Sequence, residues 1–188
     1  MKIIAIAGSL RDGNSVRMVE FARESIKEVA EVEILHLKNI QYSFCNGCLE
    51  CDDLGKCVLS DDMDKIIPRI AECDGLILCT PARWGLLFGE LKTFLDRLNP
   101  LAIQETLSGK KAIVFSVGQS EKNSDDAESI ELACESLKTF CENSDIDVVD
   151  SVCIYECLLN NDVMNFEDAV IECQKAAKLL VEELKSNE

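Results

Sequence analysis

Between Phe44 and Met63 the chain reads FCNGCLECDDLGKCVLSDDM and holds Cys45, Cys48, Cys51 and Cys57, a C-x2-C-x2-C-x5-C run. Residues three apart meet across a tight turn, so successive thiolates in such a run can aim their sulfurs at one point. Three in series, with a fourth a short loop away, is how a cubane [4Fe–4S] cluster is held, and the bacterial cluster run C-x2-C-x2-C-x3-C-P opens with the same spacing. Here Val58 rather than Pro follows the fourth cysteine, and no second run exists for a second cluster. A cluster would therefore take all four ligands from this loop. Structural zinc sites separate their two Cys pairs by a dozen residues or more, and Cys48 and Cys51 are too close for that layout. A loop of exposed, oxidisable free thiols is the third reading.

A second group of polar residues lies near the N-terminus. The stretch GSLRDGNS brings Ser9, Arg11, Asn14 and Ser15 together where an apolar run ends and a helical pattern begins. It is neither a Walker A nor a G-x-G-x-x-G loop. Hydroxyls, amides, one guanidinium and the N–H groups of a helix start suit a phosphate; the plainer alternative is a strand–helix turn with an N-cap at Asn14 or Ser15. A third stretch, TPARWG, carries the only Trp, Trp84. Beside Pro81 and Gly85 its ring can lie flat against a planar ligand, or else fill core. His36, the only histidine, ends a strand pattern and is assigned no role.

These groups need a scaffold. Lys2–Ala7, 32–37, Gly75–Thr80, Lys111–Val117 and Asp147–Ile154 read as strands, the first and third as continuous apolar runs buried on both faces. Helical patterns occupy about 15–29, 62–71, 88–98, 127–142 and a last segment capped by Asn165 and running to about 184. Strands alternating with helices predict one α/β domain over residues 1–188, a doubly wound five-stranded parallel sheet that fits the flavodoxin-like order 2-1-3-4-5, although periodicity does not fix the order, with a cysteine-rich insertion at about 39–63. The loops 8–15, 81–85 and 118–123 should then meet at the carboxyl ends of the strands. The cysteine run is expected beside the mouth of that site.

Acidic residues outnumber basic ones 35 to 19, giving a net charge of −16. No Lys/Arg cluster stands out, which argues against nucleic acid. No apolar run reaches the length of a membrane span, and MKIIAIAGSL is too short for a signal-peptide core, so a cytoplasmic location is expected. Of the eleven cysteines, the seven outside the run sit in apolar surroundings and read as small buried hydrophobes.

Taken together, GSLRDGNS, CNGCLECDDLGKC…DDM and TPARWGLLFGELKTFLDR resemble the flavodoxin-like NAD(P)H-dependent FMN reductase superfamily, and the compact cysteine run is similar to that of its iron–sulfur flavoprotein branch. The resemblance covers roughly the first hundred residues. It implies non-covalent FMN, with Ser9, Arg11, Asn14, Ser15 and Val16 at the 5′-phosphate. Pro81, Ala82, Arg83, Trp84 and Gly85 would border the isoalloxazine, and Gly118 and its neighbours would form a third wall. It further implies a homodimer or homotetramer, with the helix carrying Lys92 and Arg97 near a subunit boundary. Arg83 stands where relatives commonly carry Tyr, and a cation there would raise the flavin potential. The leading expectation is an oxidoreductase passing electrons from a ferredoxin-like carrier through a [4Fe–4S] cluster to FMN and on to an acceptor. An NAD(P)H-dependent FMN or quinone reductase without a cluster, and a non-catalytic thiol or metal redox-sensing module, stay open beside it.

Overall fold

In the computed structural model, which describes residues 1–186, five parallel strands form one sheet in the order β2-β1-β3-β4-β5. They are β1 (Lys2–Ala7), β2 (Glu31–His36), β3 (Gly75–Pro81), β4 (Lys111–Val117) and β5 (Asp147–Ile154). This is the doubly wound order expected from the sequence. Side chains alternate across a strand, and β1 uses that alternation to feed both faces. Ile3, Ala5 and Ala7 enter one core cluster with α1 (Asn14–Ile26) and α7 (Glu167–Lys185). Ile4 and Ile6 enter the other, with α3 (Met63–Glu72), α4 (Gly89–Asp96) and α6 (Glu128–Asn143). Both faces are thus covered, as a parallel sheet requires. No helix among the described residues is long and apolar enough to cross a membrane.

Several local expectations need correction. Gly13, not Asn14 or Ser15, occupies the N-cap of α1, and it caps with no side chain. Phe166 holds that place before α7, with Asn165 ending a short 3-10 turn. The helix expected over 88–98 ends at Asp96, and a new short one, α5 (Asn99–Ile103), begins beyond it. Pro100 supplies the reason, since it has no N–H to continue the first helix and suits the opening turn of the next. The cysteine loop contains a turn of helix that periodicity did not suggest, α2 (Glu50–Leu54), flanked by Leu49 at φ 63° and Gly55 at φ 64°.

Close approach at the strand ends is set by glycine. Gly8 donates its N–H to Cys79 O at 2.8 Å, and a Cβ there would sit 2.6 Å from that same oxygen. Only glycine lets the end of β1 run this close to β3.

Candidate functional site

The loops after β1, β3 and β4 meet at the carboxyl ends of the strands around an open cleft of about 410 Å³, a volume in the range of small-molecule sites. Ser9, Arg11, Asn14, Ser15, Pro81, Ala82, Arg83, Trp84 and Gly118 all line it. Val16 is not among the lining residues; it is buried beneath α1 in the core. Gly85 also lies outside the lining and donates its N–H to Ser129 Oγ at 3.0 Å.

One end of the cleft gathers polar groups at the start of α1. Ser15 is 2% exposed, and its Oγ is a buried polar atom with no partner, a costly state unless a ligand supplies one. It stands in the first turn of α1, whose opening N–H groups have no partner inside the helix. Arg11 is exposed and forms no ion pair among the described residues. Ser9 Oγ accepts the Arg11 N–H at 3.1 Å and so shapes the turn. Asn14 has a structural duty: its Nδ2 donates to Leu159 O at 2.9 Å and its Oδ1 accepts the Val163 N–H at 3.1 Å. It fastens the segment after β5 to the start of α1.

The other end is a platform for a flat group. Arg83 and Leu86 exchange backbone hydrogen bonds at 2.9 Å each way, closing a tight turn with Trp84 at φ 55° and Gly85 at φ 73°. Trp84 is 98% exposed, so its ring packs against nothing within the chain and the core-filling alternative does not hold. Beside it, at the end of β4, a Cβ on Gly118 would come 2.6 Å from Ile130 Cγ1. Glycine at this point lets the Ile130 side chain and the backbone share one narrow space.

Four lining residues lie outside the strands and loops expected at the site from the sequence: Asp126, Ser129, Ile130 and Cys157. Cys157 is buried, and burial, helped by Asp162 and Glu156, pushes its thiol up to about 12. It meets the cleft as a neutral thiol. Only its place after the last strand could have signalled it.

Cys45, Cys48, Cys51 and Cys57 line a second pocket together with Asp96, Arg97, Asn99 and Pro100. All four are free thiols, Cys45 and Cys48 exposed and the other two half-buried. Among the described residues no three His, Cys, Asp or Glu side chains converge as a single metal ion requires. The run does not border the cleft as expected, for no residue lines both pockets. The reason is α4. Tyr42 donates its hydroxyl to Glu90 O at the start of that helix, and the loop then follows it to its far end. Eight residues of helix span about 12 Å.

Arg97, the residue that follows α4, faces inward and is 1% exposed. Its Nη1 donates to Asp61 Oδ2 at 2.7 Å and to Ser43 O at 2.8 Å. Its Nη2 reaches Asp61 Oδ1 at 3.1 Å. Burial tends to raise the Asp61 pKa, but Arg97 and the N–H groups of Ser43 and Met63 outweigh it and hold the carboxyl below its usual 3.8.

Residues 1–131 match the NADPH-dependent FMN reductase family. Over 122 residues the chain is 38% identical to an iron-sulfur flavoprotein of Methanocaldococcus jannaschii, covering 64% of this chain and 63% of that one. Over 112 residues it is 36% identical to an iron-sulfur flavoprotein of Archaeoglobus fulgidus, covering 58% and 51%. The matched part therefore spans about half to two thirds of these relatives. A solved structure of a flavone reductase superposes with a TM-score of 0.78 at 20% identity, covering all of this chain and 64% of that one, which bears on fold alone. By the match over residues 1–131 and by these relatives, the chain belongs to the NADPH-dependent FMN reductase family, in its iron–sulfur flavoprotein branch.

Proposed function

We propose that the chain is an FMN-dependent oxidoreductase that binds FMN in the cleft at the strand ends and a [4Fe–4S] cluster in the cysteine pocket. The observation that carries the flavin part is the buried, partnerless Ser15 hydroxyl at the start of α1, with Arg11 beside it. Donors of that kind, at a helix start and in a flavodoxin-like sheet, suit a phosphate monoester. Ser15 and Arg11 would bind the phosphate, with Ser9 and Asn14 holding the two segments that carry them. Pro81, Ala82 and Trp84 would orient the ring. Gly118 leaves room for Ile130 beside the ring site, and Cys157 adds an uncharged lining group. Arg11 and Arg83 place two cations against the single lining carboxylate, Asp126, in a chain whose net charge is −16. That local excess favours an anionic cofactor and an anionic nicotinamide donor.

Cys45, Cys48, Cys51 and Cys57 would hold the cluster. When bound, FMN supplies hydride and electron storage and the cluster supplies one-electron exchange. The protein sets distance, orientation and access of water. NADPH, named by the family, and a ferredoxin-like carrier are the two candidate donors. The exposed Trp84 at the open cleft favours a flat nicotinamide reaching the flavin directly, so the cluster-free reductase remains the second reading.

Replacing one ligand separates the two. Cys48→Ala, purified without oxygen, should lose cluster iron and sulfide while retaining FMN at one per chain. Iron equal to that of the parent protein removes Cys48 from the ligand set.

A further inference from the structure

The cysteine pocket rests on a side chain that no motif in the loop announces. Arg97 heads the fully buried large side chains of the molecule. Burying a guanidinium is expensive, and its geometry must recover that cost. The bonds it makes are distributed in a particular way. Ser43 O, bonded at 2.8 Å, lies two residues before Cys45. Leu59 O, at 3.4 Å, lies two residues after Cys57. Asp61, held by both terminal nitrogens, closes the same neck. One planar fork thus ties the chain entering the cysteine run to the chain leaving it. Its remaining nitrogen, Nε, is buried without a partner among the described residues, and Arg97 lines the pocket together with Cys57. A second donor comes from the start of α5, where Asn99 Nδ2 points at Cys51 Sγ from 3.2 Å.

Resting on the cluster reading above, we propose that Arg97 and Asn99 are positioning residues of the cysteine pocket. Arg97 clamps both ends of the loop and places a buried positive charge against the sulfur ligands, and Asn99 donates a hydrogen bond to the Cys51 sulfur. The physical consequence is twofold. A clamped loop presents four thiolates without ordering them anew on loading, which strengthens retention of the group. Donors and a cation at the sulfurs favour the more negative, reduced state, so both residues raise the potential of the loaded site. Lysine cannot substitute for Arg97, because an ammonium on a flexible stem lacks the planar fork that reaches both necks at once.

The test uses the full chain purified and reconstituted without oxygen with iron and sulfide. Three quantities are read on the parent, Arg97→Lys and Asn99→Ala: iron and sulfide per chain, the midpoint potential by electron paramagnetic resonance, and hydrogen exchange of the 43–61 amides before reconstitution. FMN per chain serves as the control for folding. Arg97→Lys should exchange faster over 43–61 and retain less iron, with FMN unchanged. Asn99→Ala, an exposed position expected to fold normally, should keep its iron and shift to lower potential. Parent-like exchange and iron in Arg97→Lys, or an unshifted potential in Asn99→Ala, overturns the assignment for that residue while the cluster reading stands. A parent protein that takes up no iron and sulfide overturns the cluster reading, and this inference falls with it.

Discussion

The cleft and the cysteine pocket are built in opposite ways. Secondary structure makes the cleft: three strand ends, one helix start and glycines where backbones crowd, with Asn14 fastening the first loop to the segment after β5. The pocket is made by an irregular segment with one short helical turn, and its neck is closed by the buried Arg97–Asp61 ion pair together with hydrogen bonds of Gln41 and Ser43 to Asp62 and Asp61. Losing one contact at the cleft leaves the sheet to carry the site. Losing Arg97 or Asp61 leaves an uncompensated charge at the neck of the loop. The contrast teaches where each site is vulnerable, at its ligand donors for the cleft and at its support for the pocket.

The largest effect should follow from breaking that support. Asp61→Ala strands the Arg97 guanidinium, whose side chain is fully buried, and removing one partner of a buried pair costs about 3–5 kcal/mol. Urea unfolding reads this directly. The same pair gives a signed pH dependence. Because the folded-state pKa of Asp61 is lowered, its stabilisation is complete above the usual value of 3.8 and is lost as pH falls below it. Asp61→Asn should flatten that part of the acid-unfolding profile; an unchanged profile places the acid sensitivity elsewhere.

At the cleft the expected effects are smaller and appear in binding. Arg11→Ala should weaken FMN by about 1.5–3 kcal/mol, the worth of a charged hydrogen bond, or roughly 10- to 150-fold in Kd. Quenching of FMN fluorescence measures it, and unchanged affinity removes Arg11 from the phosphate end. Smallest of all is Trp84→Gly. A left-handed non-glycine residue costs roughly 1–2 kcal/mol, and glycine returns roughly 0.5–1 of that through its freer unfolded chain. The ring loses no packing, so a net gain of about 1 kcal/mol in stability is expected together with weaker FMN binding. A loss of stability would mean that the ring is supported within the folded chain.

Much of the cleft was legible because its parts are contiguous. Ile3–Ala7 is apolar throughout, the polar turn follows it directly, and the flavodoxin-like order that the alternation fits says which loops converge. What the residue pattern could not reveal was long-range. Arg97 finds Ser43 54 residues away and Asp61 36 away, so nothing local marks it as more than the end of a helical stripe. Asn14 read as a cap because Asn caps helices well, yet its partners lie after β5, 145 and 149 residues on. The cysteine run was expected at the cleft mouth because it follows β2. Bonds to α4 decided its position instead, and those depend on Tyr42 and Asp61 meeting the two ends of a helix that comes later in the chain.

The central claim is that one chain carries two separate redox sites, a flavin cleft and a sulfur pocket at opposite ends of α4. Chemical analysis of the parent protein, prepared without oxygen and with its visible spectrum recorded, tests this most directly. The account predicts one FMN, four irons and four sulfides per chain, with flavin bands on a broad blue–brown shoulder that survives removal of the flavin. Flavin bands alone, with no iron or sulfide after reconstitution, would contradict it.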